Sequence, residues 1–487
     1  MAPSTSTQAT TSVPTFQSLG VRTLINCRGT YTILSGSRAL PQVVEAMVAA
    51  TDHYVHLDEL MDKVGQRLAE LTGAEWGYVS CGCAAALTEI TAACIAGADP
   101  EKMARLPDTT GMKNEVIIQK AHRNGYDRAI RLAGAQMVEV VTEADLRAAL
   151  SERTAMIAIT GDQAHLGQIP IAEMIAIGHA HGVPCLVDAA AERPDVPNRY
   201  LALGADAVAY SGGKCLRGPQ SSGLVLGRKD LLQAAYLNSA PHGSIGRPMK
   251  AGKEEIMGLL AAVEAWVLGR DHQAEWRMWE GYLEYIRAAI AEIPSVATRI
   301  QQPGVANVAP TLVITWDPQV LRSTPEQVHH ELEHGEPPIA LHLLPDGLMI
   351  MPYMMEAGED EIVAGRLRQV LLPRTAPEPP QAEASATVAD VRGNWLVRIR
   401  YLLGQSAHAM TLEQAGSALA GSYRGQYATV PLQGHVQGTQ ITFRATLGYQ
   451  SSQTTYAFSG QVQGDTMSGT VTLGGYGQAR WTAKKLG

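Results

Sequence analysis

A chain of 487 residues is too long for one ordinary domain; at roughly 150 residues per domain the expectation is about three. Its 46% hydrophobic and 18% charged residues are globular proportions and exclude a disordered chain. The net charge of -8 argues against a nucleic-acid partner, because phosphate backbones are met by stripes of Lys and Arg.

Residues 1–14 are rich in Ser and Thr, with neither a basic stretch nor an apolar run. They are expected to be a disordered N-terminus and not a secretory signal. No run of about 18 apolar residues points to a membrane span. Cys27, Cys81, Cys83, Cys94, Cys185 and Cys215 form no CxxC pair, so no metal site is expected and reduced thiols in the cytoplasm are.

Residues 15–250 alternate helical patterns with short apolar runs at Trp76–Val79, Glu115–Ile118, Ala155–Ile159, Pro184–Val187 and Ala207–Tyr210. Nearly continuous apolar strands of this kind suit a mostly parallel sheet sandwiched by helices, an α/β fold. The helical stretch Ile171–His181 ends in Gly182 and Pro184, a stop signal before a strand. Residues 251–372 read as a small α+β domain. Its expected elements are one long helix from Lys253 to Ile293, a strand Thr311–Trp316, a helix near Thr324–His334, strands Ile339–Leu344 and Gly347–Met351, and a last helix from Glu359 to about Leu371. Residues 373–387 are a Pro/Ala/Glu linker. Residues 388–487 show short alternating strands with Gly turns, among them Leu419–Tyr423, Gly434–Gly438, Phe458–Asp465 and Met467–Thr470. That pattern reads as a small antiparallel barrel, and Gly-x-Val-x-Gly recurs at 434–438 and 460–464.

The segment Ala209–Gly223 carries the chemistry. Lys214 follows an apolar strand in a turn of small residues, which let a ligand approach the backbone. A lysine in a dry pocket has a lowered pKa and can form a Schiff base. Ser211 and Gly213 are placed to meet a phosphate. Asp188 ends an apolar strand 26 residues earlier, about one strand–helix–strand step, where ligands bind in such sheets. In an enzyme using pyridoxal 5'-phosphate, an Asp there protonates the pyridine nitrogen. The alternative for Asp188 alone is a helix cap. The turn Ser80-Cys81-Gly82-Cys83-Ala84 joins a strand to a helix, so its N–H groups and the helix dipole would cradle the phosphate. His122, just after Val116–Ile118, is placed to stack on the ring. Arg123 and Arg128 are candidate anion ligands; for Arg128 an ordinary solvated charge is the stronger reading.

These segments resemble the fold-type-I pyridoxal-phosphate group that contains bacterial selenocysteine synthase and D-glucosaminate-6-phosphate ammonia-lyase. The likeness spans residues 15–372 and rests on Leu71–Glu75, Cys94–Pro100, His122–Asp127, Val187–Glu192, Ser211–Gln220 and Gly246–Glu255. The resemblance implies Lys214 as the Schiff-base lysine, Asp188 as the pyridinium partner and His122 as the stacking residue. It also implies a homodimer or larger homo-oligomer whose subunits share each site, with Arg247 and Lys250 reaching a neighbour. Arg28 and Tyr31 would line the site from an N-terminal arm. His53, Tyr54 and His56 are weaker candidates for the same place, whereas His165, at the sheet's carboxyl edge after the strand Ala155–Thr160, is a better candidate for substrate contact. The chain departs from the pattern at Cys81-Gly82-Cys83, where these relatives carry a Ser-Gly-Ala-like turn. It also lacks a tRNA-binding N-terminal domain, which argues against a tRNA substrate. The C-terminal barrel resembles small lipocalin-like modules fused to bacterial enzymes.

The expected activity is chemistry at Cα of a polar amino acid, β-hydroxy or similar, with α,β-elimination ahead of racemisation, epimerisation or aldol cleavage. The non-enzymatic alternative is a scaffold whose barrel binds a ligand or a partner.

Overall fold

The computed structural model describes residues 13–306, 308–372 and 388–486. The Ser/Thr-rich segment up to residue 12 and the linker 373–387 lie outside the described residues. The chain divides into two compact units, one holding the described residues up to 122 and from 128 to 372, the other holding residues 123–127 with the C-terminal strands.

In the first unit the strands are β1 (Ile25–Asn26), β2 (Trp76–Ser80), β3 (Glu115–Gln119), β4 (Gln136–Val140), β5 (Thr154–Thr160), β6 (Cys185–Asp188), β7 (Ala207–Ser211), β8 (Gly223–Gly227), β9 (Ala297–Gln301), β10 (Thr311–Thr315), β11 (Ile339–Ala340), β12 (His342–Leu344) and β13 (Gly347–Ile350). Seven of them form the main sheet in the order β2-β8-β7-β6-β5-β3-β4. All run parallel except β8, which is antiparallel to both its neighbours. That reversal follows from the short loop between β7 and β8, which has no room for a crossover helix. Every residue of β5 and β8 is buried, as a sheet covered on both faces requires. The helix Cys83–Ala96 is buried almost all round and packs on this sheet.

A second core gathers around the helix His272–Ile290, the sheet β12-β13-β10-β9 and the helix Glu359–Val370. Two expectations fail here. The single long helix from Lys253 is two helices, Lys253–Glu264 and His272–Ile290. They are parted by a π turn, Ala265–Gly269, and by an extended Arg270. The Asp271 carboxylate then caps the second helix by accepting from the Gln273 and Ala274 amides. The expected strand Ile339–Leu344 splits at Leu341, because β11 pairs with β1 while β12 pairs with β13.

The second unit is a closed eight-stranded antiparallel barrel: β14 (Gly393–Arg400), β15 (Gln405–Ala415), β16 (Ala418–Arg424), β17 (Thr429–Gln437), β18 (Gln440–Tyr449), β19 (Ser452–Gln463), β20 (Thr466–Thr472) and β21 (Gln478–Lys485). Its interior is filled by Trp395, Tyr423, Phe443, Phe458 and Trp481, with the two phenylalanine rings stacked at 4.3 Å. Several glycines expected in turns, among them Gly434, Gly460 and Gly469, stand inside strands. Gly460 and Gly469 face one another in register beneath the Trp481 ring. A Cβ on either would fall within 2.3 Å of a neighbouring carbonyl oxygen. The repeated Gly-x-Val-x-Gly is thus the last part of β17 and of β19 with the turn that follows each.

Candidate active site

Asp188 ends β6 and lies in register with Thr160 of β5 and Ala209 of β7. Lys214 sits in the loop from β7 to β8. Because β6 and β7 are neighbours, the two residues lie near one another at the same end of the sheet, and the Lys214 charge favours the ionised Asp188 carboxylate. Burial opposes it and is the larger effect, so the Asp188 carboxyl is held above its ordinary range. Asp188 Oδ1 accepts from the Ala190 amide at 3.1 Å and from the Cys83 thiol at 3.5 Å.

The lysine loop is tight. The Lys214 amide donates to the Ser211 carbonyl at 3.3 Å, and the Arg217 amide to the Lys214 carbonyl at 2.9 Å. A Cβ at Gly213 would lie 2.4 Å from Gln220 Oε1, so only glycine fits before the lysine.

The turn after β2 has the form expected of an anion cradle. Gly82 caps the helix Cys83–Ala96 at φ 154, and no side chain caps that end. A Cβ at Gly82 would meet nothing within 4 Å, so space is open in front of the turn. Behind it, β8 passes so close that a Cβ at Gly223 would fall 2.8 Å from the Cys83 nitrogen. Open space before uncapped N–H groups suits a phosphate. A buried carboxylate and a lysine on adjoining strand ends suit a pyridine nitrogen and an aldehyde carbon. These residues fit pyridoxal 5'-phosphate. Ser80 departs from its expected place: its buried hydroxyl donates to the Gly82 carbonyl at 2.8 Å and shapes the turn. Cys81 is half-buried and Ala84 exposed at the mouth of the cradle.

His122 ends a short 3-10 turn directly after β3 and is fully buried. Burial lowers its pKa to about 4, so the ring is neutral at ordinary pH. Its carbonyl accepts from the Thr160 hydroxyl at 2.9 Å, which ties His122 to the strand beside Asp188. Arg123 is committed elsewhere, since its guanidinium pairs with buried Asp127 at 2.5 Å. Arg128 is exposed.

The N-terminal arm lies along the lysine loop: the Ser37 amide donates to the Gly213 carbonyl at 3.0 Å and the Leu40 amide to the Arg217 carbonyl at 3.1 Å. Upstream, the Arg28 guanidinium lies over the Tyr31 ring at 5.0 Å, and its buried Nε has no hydrogen-bond partner among the described residues. The Arg28 carbonyl accepts from His342 at 2.9 Å, so the arm bridges the two cores. Other candidates stand apart. His165, His53, Tyr54 and His56 are exposed. Arg247 and Lys250 are exposed on a segment that Asn238 ties to the Gly97 carbonyl. That is the far end of the 14-residue helix, about 20 Å from the cradle.

Sequence reasoning missed the thiol–carboxylate contact of Cys83, because nothing in a Cys-Gly-Cys turn announces a partner 105 residues away. It also passed over Glu192. That carboxyl accepts from the Tyr200 hydroxyl at 2.8 Å, and burial raises its pKa to about 7. Gly161 leaves room for it, since a Cβ there would sit 2.2 Å from Glu192 Oε1. Among the described residues, no group of three His, Cys, Asp or Glu is placed to hold a metal, and no helix is long and apolar enough to cross a membrane.

Residues 52–249 match the Aminotransferase class-V family model. The chain is 33% identical over 375 residues to the 5'-C-glycyluridine monooxygenase-decarboxylase of a Streptomyces species, covering 73% of this chain and 92% of that protein. It is 31% identical over 371 residues to the D-glucosaminate-6-phosphate ammonia lyase of Salmonella typhimurium, covering 73% of this chain and 97% of the relative. The solved structure of a D-glucosaminate-6-phosphate ammonia-lyase superposes with a TM-score of 0.65 at 30% identity, over 74% of this chain and 99% of that one. The chain belongs to the pyridoxal-phosphate-dependent enzymes of fold type I, in the class-V aminotransferase group that includes D-glucosaminate-6-phosphate ammonia lyase.

Proposed function

We propose that the protein is a lyase that converts a polar β-hydroxy amino acid to a keto acid and ammonia. The observation that carries the reading is the placement of Lys214 near buried Asp188, at the ends of neighbouring strands beside an uncapped helix N-terminus. The likeness to an ammonia lyase over nearly its whole length selects elimination among the reactions such a site supports.

Bound at this site, pyridoxal 5'-phosphate would supply the electron sink for bond breaking at Cα. Lys214 would hold the cofactor covalently and, when released from it, would serve as the base for the Cα proton. Asp188 would keep the ring nitrogen protonated. His122, neutral and buried, would stack on the ring. The N–H groups at Gly82, Cys83 and Ala84, with Ser211 and Gly213, would hold the phosphate. Loss of the Cα proton and the β-hydroxyl, followed by uptake of water, releases keto acid and ammonia.

A homodimer is part of the proposal. Phe16, Leu19 and Ile33 on the arm and Val44 and Val48 on the first long helix are large apolar side chains left exposed. Arg247, remote from the cradle of its own chain, would serve a partner's site. Six free cysteines fit a reducing, cytoplasmic setting.

The test is a panel of D- and L-β-hydroxy amino acids, read for keto acid and for Cα deuterium exchange. Keto acid with ammonia is expected. Exchange without keto acid would replace the lyase by a racemase. The glycyluridine relative favours a second reading, oxygen-dependent decarboxylation. Substrate-dependent oxygen uptake with carbon dioxide release would select it.

A further inference from the structure

We infer that the Cys83 thiol is a positioning residue for Asp188, holding one carboxylate oxygen so that the other is left to face the cofactor ring. The inference rests on the proposed roles of Lys214 and Asp188. Cys83 is the first residue of the helix Cys83–Ala96 and is buried, so its Sγ points inward from a fixed backbone. The contact to Asp188 is 3.5 Å, within reach of a weak S–H donor. The Ala190 amide reaches the same oxygen, Oδ1, at 3.1 Å. Among the described residues Oδ2 accepts no hydrogen bond. Two donors on one oxygen fix the rotation of the carboxylate and leave Oδ2 for a third donor, the protonated ring nitrogen.

The thiol is suited to this because it stays a thiol. Burial first, then the nearby Asp188 charge, push its ionisation well above the ordinary cysteine range, against the opposing pull of Lys214. It therefore donates at any working pH. The same bond opposes the effect of burial on Asp188 and favours its charged form. One turn thus serves two ends of the cofactor: its backbone N–H groups face the phosphate, and its first side chain sets the group that meets the ring nitrogen. The backbone at Cys83 is itself held by the close passage of Gly223.

The experiment uses the full chain reconstituted with pyridoxal 5'-phosphate, in wild type, Cys83→Ala, Cys83→Ser, Cys83→Val and Lys214→Ala. It reads the cofactor dissociation constant, the pH midpoint of the visible spectrum and the thermal midpoint. Cys83→Ala and Cys83→Val should bind the cofactor about three- to tenfold more weakly, as loss of one modest hydrogen bond to a charged group predicts. Their spectral midpoint should move by about half a pH unit or more. Cys83→Ser, which keeps a donor, should restore both. Binding within twofold of wild type and an unmoved midpoint in Cys83→Ala would overturn the inference. So would a serine variant that behaves like alanine, since the effect would then be one of packing. A visible band that survives in Lys214→Ala would instead overturn the reading of Lys214, and this inference with it.

Discussion

At the scale of single residues, the site is a contest between burial and charge. Asp188 is raised by burial and drawn back by the Ala190 amide, Lys214 and Cys83. Asp188→Asn would keep the shape and remove the charge proposed to hold a proton on the ring nitrogen. It should lower kcat/KM by about 10²-fold or more while the fold persists, as steady-state kinetics with a circular-dichroism control would show. His122 is the opposite case. Its pKa falls from 6.5 to about 4 on folding, so between those values the unfolded chain binds a proton that the folded chain excludes. The contribution of His122 to stability therefore rises with pH across that window. In urea titrations from pH 4.5 to 7.5, wild type should gain stability relative to His122→Phe as pH rises, an effect of up to about 3 kcal/mol. A variant with the wild-type slope would show that the ring takes up a proton as readily in the folded state as in the unfolded one. Lys214 and Asp188 were legible in the sequence because each follows an apolar strand and is flanked by small residues. Ser80 and Arg123 were not legible as what they are. A hydroxyl in a tight turn can face either the ligand or its own backbone, and here it faces the Gly82 carbonyl. Arg123 is claimed by Asp127 four residues on.

At the scale of elements, the helix Cys83–Ala96 links cradle and core. It carries a fully buried Glu89 that accepts from the Tyr78 hydroxyl at 3.0 Å and the Ser239 hydroxyl at 2.6 Å. Burial raises its pKa from 4.5 to about 7 despite both donors. Between those values the folded state keeps a proton that the unfolded state has lost, so this group's stabilising contribution falls as pH rises. Glu89→Gln cannot titrate. Relative to wild type it should gain stability as pH rises from 5 to 8, reaching about 2–3 kcal/mol, with denaturant midpoints as the readout. A constant difference across that range would mean that Glu89 is ionised throughout. The main-sheet strands were legible because buried parallel strands are continuous apolar runs. The break between Lys253–Glu264 and His272–Ile290 was hidden because helical periodicity continues across it, and only the Asp271 cap and extended Arg270 reveal it. The direction of β8 was equally hidden, since an apolar run has no polarity of its own.

At the scale of the whole molecule, the chain joins an acidic enzyme unit to a basic barrel. Residues 388–487 hold eight Lys and Arg against three Asp and Glu, while the chain as a whole carries -8. The barrel is closed and has its own core, so residues 388–487 expressed alone should fold and unfold in one cooperative transition. Trp395 and Trp481 fluorescence would follow it. Gly460→Val should destabilise that fragment by about 3 kcal/mol or more, because a side chain there meets the Ser468 carbonyl and the Trp481 ring. A barrel pattern was legible from alternation, but the strand-interior glycines read as turns because composition does not distinguish a bend from a close approach. The account as a whole depends on which lysine holds the cofactor. Borohydride reduction of the reconstituted protein, followed by peptide mapping, measures that directly. The cofactor should be fixed on Lys214 and on no other lysine; a label on a different lysine, or none after reconstitution, would contradict the account.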